Sequence, residues 1–123
     1  MTQRMSAAEF KATTEKPKRS KYGNTPVTID GLRFDSKREA AYYSELKLRE
    51  KAGEVDGVEL QRPFSLFGTN GYLMAVYKCD FAFWDKVEGR FRVIDVKGFQ
   101  TKEFKLKRKM MRGLLGIEVE CVK

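Results

Sequence analysis

Residues 90–98 read Arg90-Phe91-Arg92-Val93-Ile94-Asp95-Val96-Lys97-Gly98, a short apolar strand that closes on Asp95-Val96-Lys97-Gly98. Side chains two apart on a strand point to the same face, so the Asp95 carboxylate and the Lys97 ammonium project side by side. That pair suits phosphodiester chemistry. The carboxylate can hold a hard divalent cation, and the lysine can orient an attacking water or offset charge developing on a phosphate. The same pair at the end of any surface strand can equally be a solvated ion pair, so the chemistry depends on partners supplied by the rest of the chain.

Just before this strand, Leu73 to Trp84 is apolar at nearly every position, which predicts one long strand buried on both faces. Asp80 is its only acidic residue, and a lone charge there is costly unless it is paired or bound to a metal. Asp85 to Gly89 turns this strand into the Arg90–Lys97 strand as an antiparallel hairpin, which can return Asp95 beside Asp80. Downstream, Thr101 caps a helix expected from Lys102 to about Leu115, ended by Gly116. Lys105, Arg108, Lys109 and Arg112 recur on one face of it, with Lys102 and Lys107 adding to the charge; Phe104, Met111 and Leu115 mark the packing face. Ile117 to Val122 alternates as a final strand.

Nearer the N-terminus, Val27-Thr28-Ile29 and Leu32-Arg33-Phe34 flank Asp30-Gly31, the two-residue signal of a tight hairpin. Ser36 opens a helix to about Ala52, closed by Gly53, with Glu39, Tyr42, Tyr43, Leu46 and Glu50 along one face. Glu39 has two readings. In Ser36-Lys37-Arg38-Glu39 it fits a capping box that reaches back to the Ser36 amide, and as the first residue of the apolar face it points toward the sheet. Val58–Gln61 and Phe64–Phe67 read as strand segments interrupted at Arg62-Pro63. Gln61 is either a further active-site residue or a plain strand polar residue.

The chain has 123 residues, enough for one modest core. Residues 1–26 are expected to form a basic, partly flexible arm, and residues 27–123 a single domain. The net charge of +8 is clustered: residues 1–26 contribute +4, residues 97–112 contribute +6, and the remainder is −2. Two basic blocks around a nearly neutral body point to a polyanionic partner. Histidine is absent from the sequence, which excludes histidine-dependent triads, His-ligated zinc and histidine general bases. Cys79 and Cys121 are too few for a zinc cluster and fall in apolar segments, so buried free thiols are expected. Without a long apolar run or an apolar leader, the expected setting is the cytoplasm, with no membrane association.

Taken in order, a glutamate on the first helix, an aspartate in a central strand, Asp-x-Lys ending the next strand and a basic helix together resemble the PD-(D/E)xK nuclease superfamily, over roughly Ser20 to Lys123. The segments Ser20-Lys21-Tyr22-Gly23-Asn24, Phe34-Asp35-Ser36-Lys37-Arg38-Glu39-Ala40 and Asp95-Val96-Lys97-Gly98-Phe99 resemble a small phage-encoded branch of presumed endonucleases. The resemblance implies an α+β, restriction-endonuclease-like core: a central mixed sheet of four to five strands flanked by two main helices, with an N-terminal hairpin. It implies that Asp80 and Asp95, with the Val96 carbonyl and Glu39, hold Mg²⁺ or Mn²⁺, and that Lys97 is the catalytic lysine. One departure stands out: Cys79 precedes Asp80 where the motif has proline; Asp95 in place of glutamate is an accepted variant that shortens the reach to metal.

The function expected from this set is metal-dependent hydrolysis of DNA in the host cytoplasm. Small phage enzymes of this fold include Holliday-junction resolvases, so the analogy extends to branched DNA, to phage replication or recombination and to a homodimer. Lys102, Lys105, Lys107, Arg108, Lys109 and Arg112, with Lys16, Lys18, Arg19 and Lys21 of the arm, are the expected phosphate contacts, which give affinity without sequence readout. No residue selects DNA over RNA. Two competing readings stay open: a non-catalytic nucleic-acid-binding module of the same fold, and an accessory protein that binds other phage proteins.

Overall fold

The structure, a computed structural model, describes residues 26–123. The expected arm, with Lys16, Lys18, Arg19 and Lys21, lies outside the described residues. The chain divides into two compact units, one ending at Lys37 and the other running from Arg38 to Lys123. The first contains the antiparallel hairpin β1 (Val27–Ile29) and β2 (Leu32–Phe34). Asp30 and Gly31 both take positive φ, 53° and 77°, as the expected two-residue turn requires.

The second unit is α+β. Helix α1 (Lys37–Lys51) is followed by β3 (Val55–Leu60), β4 (Pro63–Phe67), β5 (Leu73–Lys78), β6 (Phe81–Asp85) and β7 (Arg90–Val96). Helix α2 (Lys102–Met110), a π-helical turn (Met111–Leu115) and β8 (Val119–Val122) complete the unit. Four strands form a mixed sheet in the order β3-β6-β7-β8, with β7 and β8 parallel and the other pairs antiparallel. Among the described residues, no helix is long and apolar enough to cross a membrane.

The period-two alternation of β6 and β7 divides the packing between two layers. Ala82 and Val93 belong to a core shared with Phe104, Met111 and Val119, so α2 and the turn after it cover that face. Phe81 meets the ring of Tyr42, and Asp85 pairs with Arg49, which places α1 on the other face. The buried stripe of α1 is narrow, Glu39, Ala40, Tyr43 and Leu46, and its first member is an acid.

Helix α2 starts as expected, with Thr101 Oγ1 accepting from the Phe104 amide at 3.1 Å. Its end differs. The expected continuous helix to Leu115 changes to a π turn at Met111 and stops at Gly116, whose φ of 70° lets its amide reach back to the Arg112 carbonyl. The wider turn alters the helical phase, so Met111 is buried whereas Leu115 is exposed, contrary to the packing face expected for it.

The larger correction concerns Leu73–Trp84. The expected single strand is two, β5 and β6, broken at Cys79-Asp80, directly across from the break at Gln61-Arg62 between β3 and β4. Backbone bonds Gln61 N to Asp80 O and Cys79 N to Arg62 O, both 3.1 Å, carry the ladder across the break, so β3–β4 and β5–β6 form one long bent ribbon. Beyond the bend, β4 and β5 pair, among the described residues, only with each other. Phe64, Leu66 and Tyr77 face the core, while Phe67, Leu73, Met74 and Val76 are exposed. Burial on both faces therefore holds for most of β6 and fails for β5, because hydrophobicity alone does not record that the partner layer ends. Cys79 is buried in the break and Cys121 half-buried in β8; both are free thiols, and burial pushes Cys79 up to about 11, which makes it inert at neutral pH.

Candidate active site

The bend in the ribbon builds the site. Asp80 is pinned on both sides: its carbonyl accepts from Gln61 N, and its amide donates to Ile94 O of β7 at 3.1 Å. As β5 turns away, β7 runs on, and the Val96 amide finds a side chain for a partner, donating to Asp80 Oδ2 at 2.8 Å. Gln61 holds the opposite corner with φ of 53°, a conformation uncommon for a residue with a side chain, and its Nε2 reaches Asp80 Oδ1 at 3.4 Å.

Asp95 sits at the carboxyl end of β7, 2% exposed. Its Oδ2 accepts from the Tyr77 hydroxyl of β5. Its Oδ1 is a buried oxygen without a hydrogen bond, 3.4 Å from the Lys97 ammonium. Lys97 is positioned twice, by Asp95 and by the Phe104 ring, whose centroid lies 5.0 Å from Nζ. The expected side-by-side projection of Asp95 and Lys97 is therefore present, and α2 contributes an aromatic platform beneath the lysine.

Glu39 is buried and points toward the carboxylates, which favours the sheet-facing reading of that residue. Asp80 feels its charge and is within reach of a carboxyl hydrogen bond to it. The electrostatics follow from this crowding. Burial raises Asp80 to about 6, opposed by the Val96 amide and reinforced by Glu39. Burial raises Asp95 to about 6 as well, reinforced by Asp80 and opposed by the Tyr77 bond. The Tyr77 phenol is raised in turn, by burial first and then by its bond to Asp95.

Another buried aspartate supplies the contrast. Asp85, at the other end of β6, is fully buried too, and it receives the amides of Val87 and Glu88 at 3.0 Å, Arg92 Nη1 at 2.9 Å and Arg49 Nη2 at 3.3 Å. Its carboxyl falls to about 2, through the Glu88 amide first and then the two arginines despite its burial. Arg92 continues to Glu120 of β8 at 2.6 Å. Asp85 is thus a fully neutralised structural knot joining α1, β7 and the turn. Asp80 and Asp95 instead crowd each other: Asp95 faces one lysine, and each carboxylate keeps one oxygen with a weak or missing hydrogen bond. Perturbed acids with unmet bonding capacity make this cluster the candidate functional site.

The residues present fit a divalent cation. Asp95 Oδ1 is an orphaned hard donor, Asp80 Oδ1 has only the long Gln61 contact, and Glu39 adds a third carboxylate. Among the described residues, no three His, Cys, Asp or Glu side chains already stand at ligand spacing around one point. Mutual repulsion of carboxylates is relieved by protons or by a cation.

The basic helix is divided between structure and surface. Arg108 Nε donates to Val119 O at 3.0 Å and its guanidinium lies 3.9 Å from Glu118, Arg112 pairs with Glu118 at 3.5 Å, and Lys107 pairs with Glu103 at 3.1 Å. Lys102, Lys105 and Lys109 are exposed. Sequence reasoning missed Tyr77 and Phe104 as supports of Asp95 and Lys97. Only the break in the expected long strand, which brings Tyr77 around to Asp95, reveals the first, and no sequence signal announces it.

A family model described as a protein of unknown function (DUF1064) matches residues 19–115. No curated protein and no solved structure matches the chain.

Proposed function

We propose that this chain, which belongs to the family described as a protein of unknown function (DUF1064), is a metal-dependent nuclease hydrolysing phosphodiester bonds in DNA, as its resemblance to PD-(D/E)xK enzymes implies. The observation that carries the reading is the buried Oδ1 of Asp95, which makes no hydrogen bond and lies 3.4 Å from the Lys97 ammonium in a carboxylate that also feels Asp80. That oxygen lies against the Lys97 ammonium but makes no hydrogen bond, so it keeps acceptor capacity that a bound cation can use.

Asp80 and Asp95 are the residues to hold Mg²⁺ or Mn²⁺, with Glu39 as a further acid and the Val96 carbonyl beside them. When bound, such an ion supplies a Lewis acid and a water of lowered pKa. The chain's own groups do the rest. Tyr77 fixes Asp95 Oδ2, which leaves Oδ1 directed at the site. The Val96 amide and Gln61 fix the Asp80 carboxylate. Lys97, held on the Phe104 ring, orients the attacking water and offsets negative charge as it builds on the phosphate. Lys102, Lys105 and Lys109 on α2 attract the phosphate backbone by charge, which confers salt-dependent affinity and no sequence readout.

Purified protein incubated with Mg²⁺ or Mn²⁺ and linear, nicked, flap and four-way DNA, with RNA alongside, tests the reading. Wild type should cleave, whereas Asp80→Ala, Asp95→Ala and Lys97→Ala should bind without cleaving. Binding with no cleavage by wild type under either metal would favour a non-catalytic nucleic-acid module. Intact cleavage by Asp80→Ala would show that the metal-binding acids are misassigned.

A further inference from the structure

The β4–β5 ribbon carries a surface that the candidate site does not use. On its outer face and tip, Phe67, Tyr72, Leu73, Met74 and Val76 are 53%, 71%, 54%, 63% and 42% exposed. The tip that holds them is ordered by its own bonds. Gly68 N donates to Tyr72 O and Gly71 N to Gly68 O, both at 2.9 Å, and Asn70 Oδ1 accepts from Tyr72 N at 3.2 Å. Gly71 supplies φ of 86°, and a Cβ on Gly68 would stand 2.9 Å from Met74 Sδ, so the backbone is kept bare where the methionine crosses it.

Exposed apolar strands are usually blunted with charge. This one carries a single charge, and its charge pattern is one-sided: from Pro63 to Lys78 the sequence holds no Asp or Glu and one cation, the exposed Lys78, while at the root Arg62 pairs with Glu59 at 3.4 Å. An acid-free apolar prong that carries an exposed lysine is complementary to a polyanion that exposes flat apolar faces. Five side chains are too few for a standard protein interface of roughly 20–30 residues a side, whereas Phe, Leu and Met wedges are the groups that enter between nucleic-acid bases. The prong starts at the candidate site. Asp80 lies at the bend, and Leu73 stands seven residues along the same chain segment, about 23 Å at the usual rise of about 3.3 Å per residue.

We infer that the β4–β5 ribbon is a base-contacting wedge, which inserts its apolar tip at a branch or unpaired step about seven nucleotides from the phosphate held at Asp80 and Asp95. The inference rests on the nucleic-acid reading above and adds to it the element that recognises branched substrate. Intact duplex offers the tip only stacked bases, and opening them costs unstacking energy; a branch point has already met that cost.

The test uses the full chain without added metal, on four-way, flap and linear DNA of equal length carrying 2-aminopurine beside the branch. Wild type should raise the fluorescence on branched DNA and bind it at least about tenfold more tightly than linear duplex, the scale of one or two base stacks. The Tyr72→Ser/Leu73→Ser/Met74→Ser protein should bring that preference to within about twofold and keep its affinity for linear duplex. These residues are exposed, so folding should survive, and the wild-type fluorescence stands as a measurement that needs no variant. No fluorescence rise in wild type, or an unchanged branch preference in the triple variant, overturns the inference. So does a wild-type dimer in sedimentation that the substitutions dissolve, because the face would then belong to a second copy. Mg²⁺-dependent cleavage is scored separately: ribbon-dependent branch binding without cleavage keeps the wedge and removes the nuclease, and cleavage with unaltered selectivity in the triple variant does the reverse.

Discussion

Replacing Asp95 by Asn should stabilise the metal-free protein while it abolishes cleavage. Asp95 is held at about 6 against an ordinary 3.8, by burial and by the charge of Asp80. The native state therefore binds this proton more tightly than the unfolded state. The stability linked to it is complete below about pH 4 and is lost as pH rises through about 6. At about pH 8 the ionised carboxylate then costs about 3 kcal/mol, from about 1.4 kcal/mol for each pH unit separating the two values. Asn keeps an oxygen for the Tyr77 hydroxyl and forfeits the attraction of Lys97, whose side chain is 34% exposed, a contact worth less than about 1 kcal/mol. With part of the gain shared with coupled Asp80, the net is about 1–2 kcal/mol, or a Tm higher by about 4–12 °C for a domain of this size. Thermal melts in chelator at about pH 8 and about pH 4 measure it, and the gain should vanish at the lower pH. Mg²⁺ should raise the Tm of wild type and leave Asp95→Asn unmoved. An Asp95→Asn protein equally destabilised at both pH values would refute the reasoning, because Asp95 would then be a satisfied structural acid like Asp85.

Three further outcomes follow from the geometry. Lys97→Ala should lower the cleavage rate by about 10²–10⁴-fold, with Mg²⁺ binding by calorimetry retained, since the lysine touches Asp95 through its ammonium and is not a ligand. Tyr77→Phe removes the donor to a buried carboxylate, so it should cost about 1–3 kcal/mol in urea denaturation and weaken Mg²⁺ binding without changing the pattern of products. Substituting both Lys105 and Lys109 with Gln should flatten the log–log salt dependence of DNA binding by about 1.8, at about 0.9 for each phosphate no longer neutralised. Arg112→Gln should change it less, because that side chain already pairs with Glu118.

The three aspartates of the central hairpin show how far a sequence can be read. Asp80 and Asp95 stand out because charge in an apolar strand needs a reason, and Asp-x-Lys supplies one. Asp85 reads only as the first residue of a turn. It is as buried as Asp95 and more so than half-buried Asp80, and what separates it is four donors, two of them arginines brought from α1 and β7. Arg92 reaches it from across the hairpin and Arg49 from a helix 36 residues away, so no local pattern records whether a buried acid will be neutralised.

Local chemistry was legible in the sequence itself. Asp30-Gly31 set the hairpin, Thr101 and Gly116 bounded the second helical segment, and the alternation of β7 put Asp95 beside Lys97, because turns, caps and strand faces depend on neighbours a few residues away. Tertiary structure decided where hydrophobic runs stop being buried. The Leu73–Trp84 run breaks at Asp80 because the sheet's partner layer ends there, and that break brings Tyr77 onto Asp95, anchors the acids and sends the exposed ribbon outward. Burial depends on the layer that covers a strand, and that layer lies elsewhere in the chain.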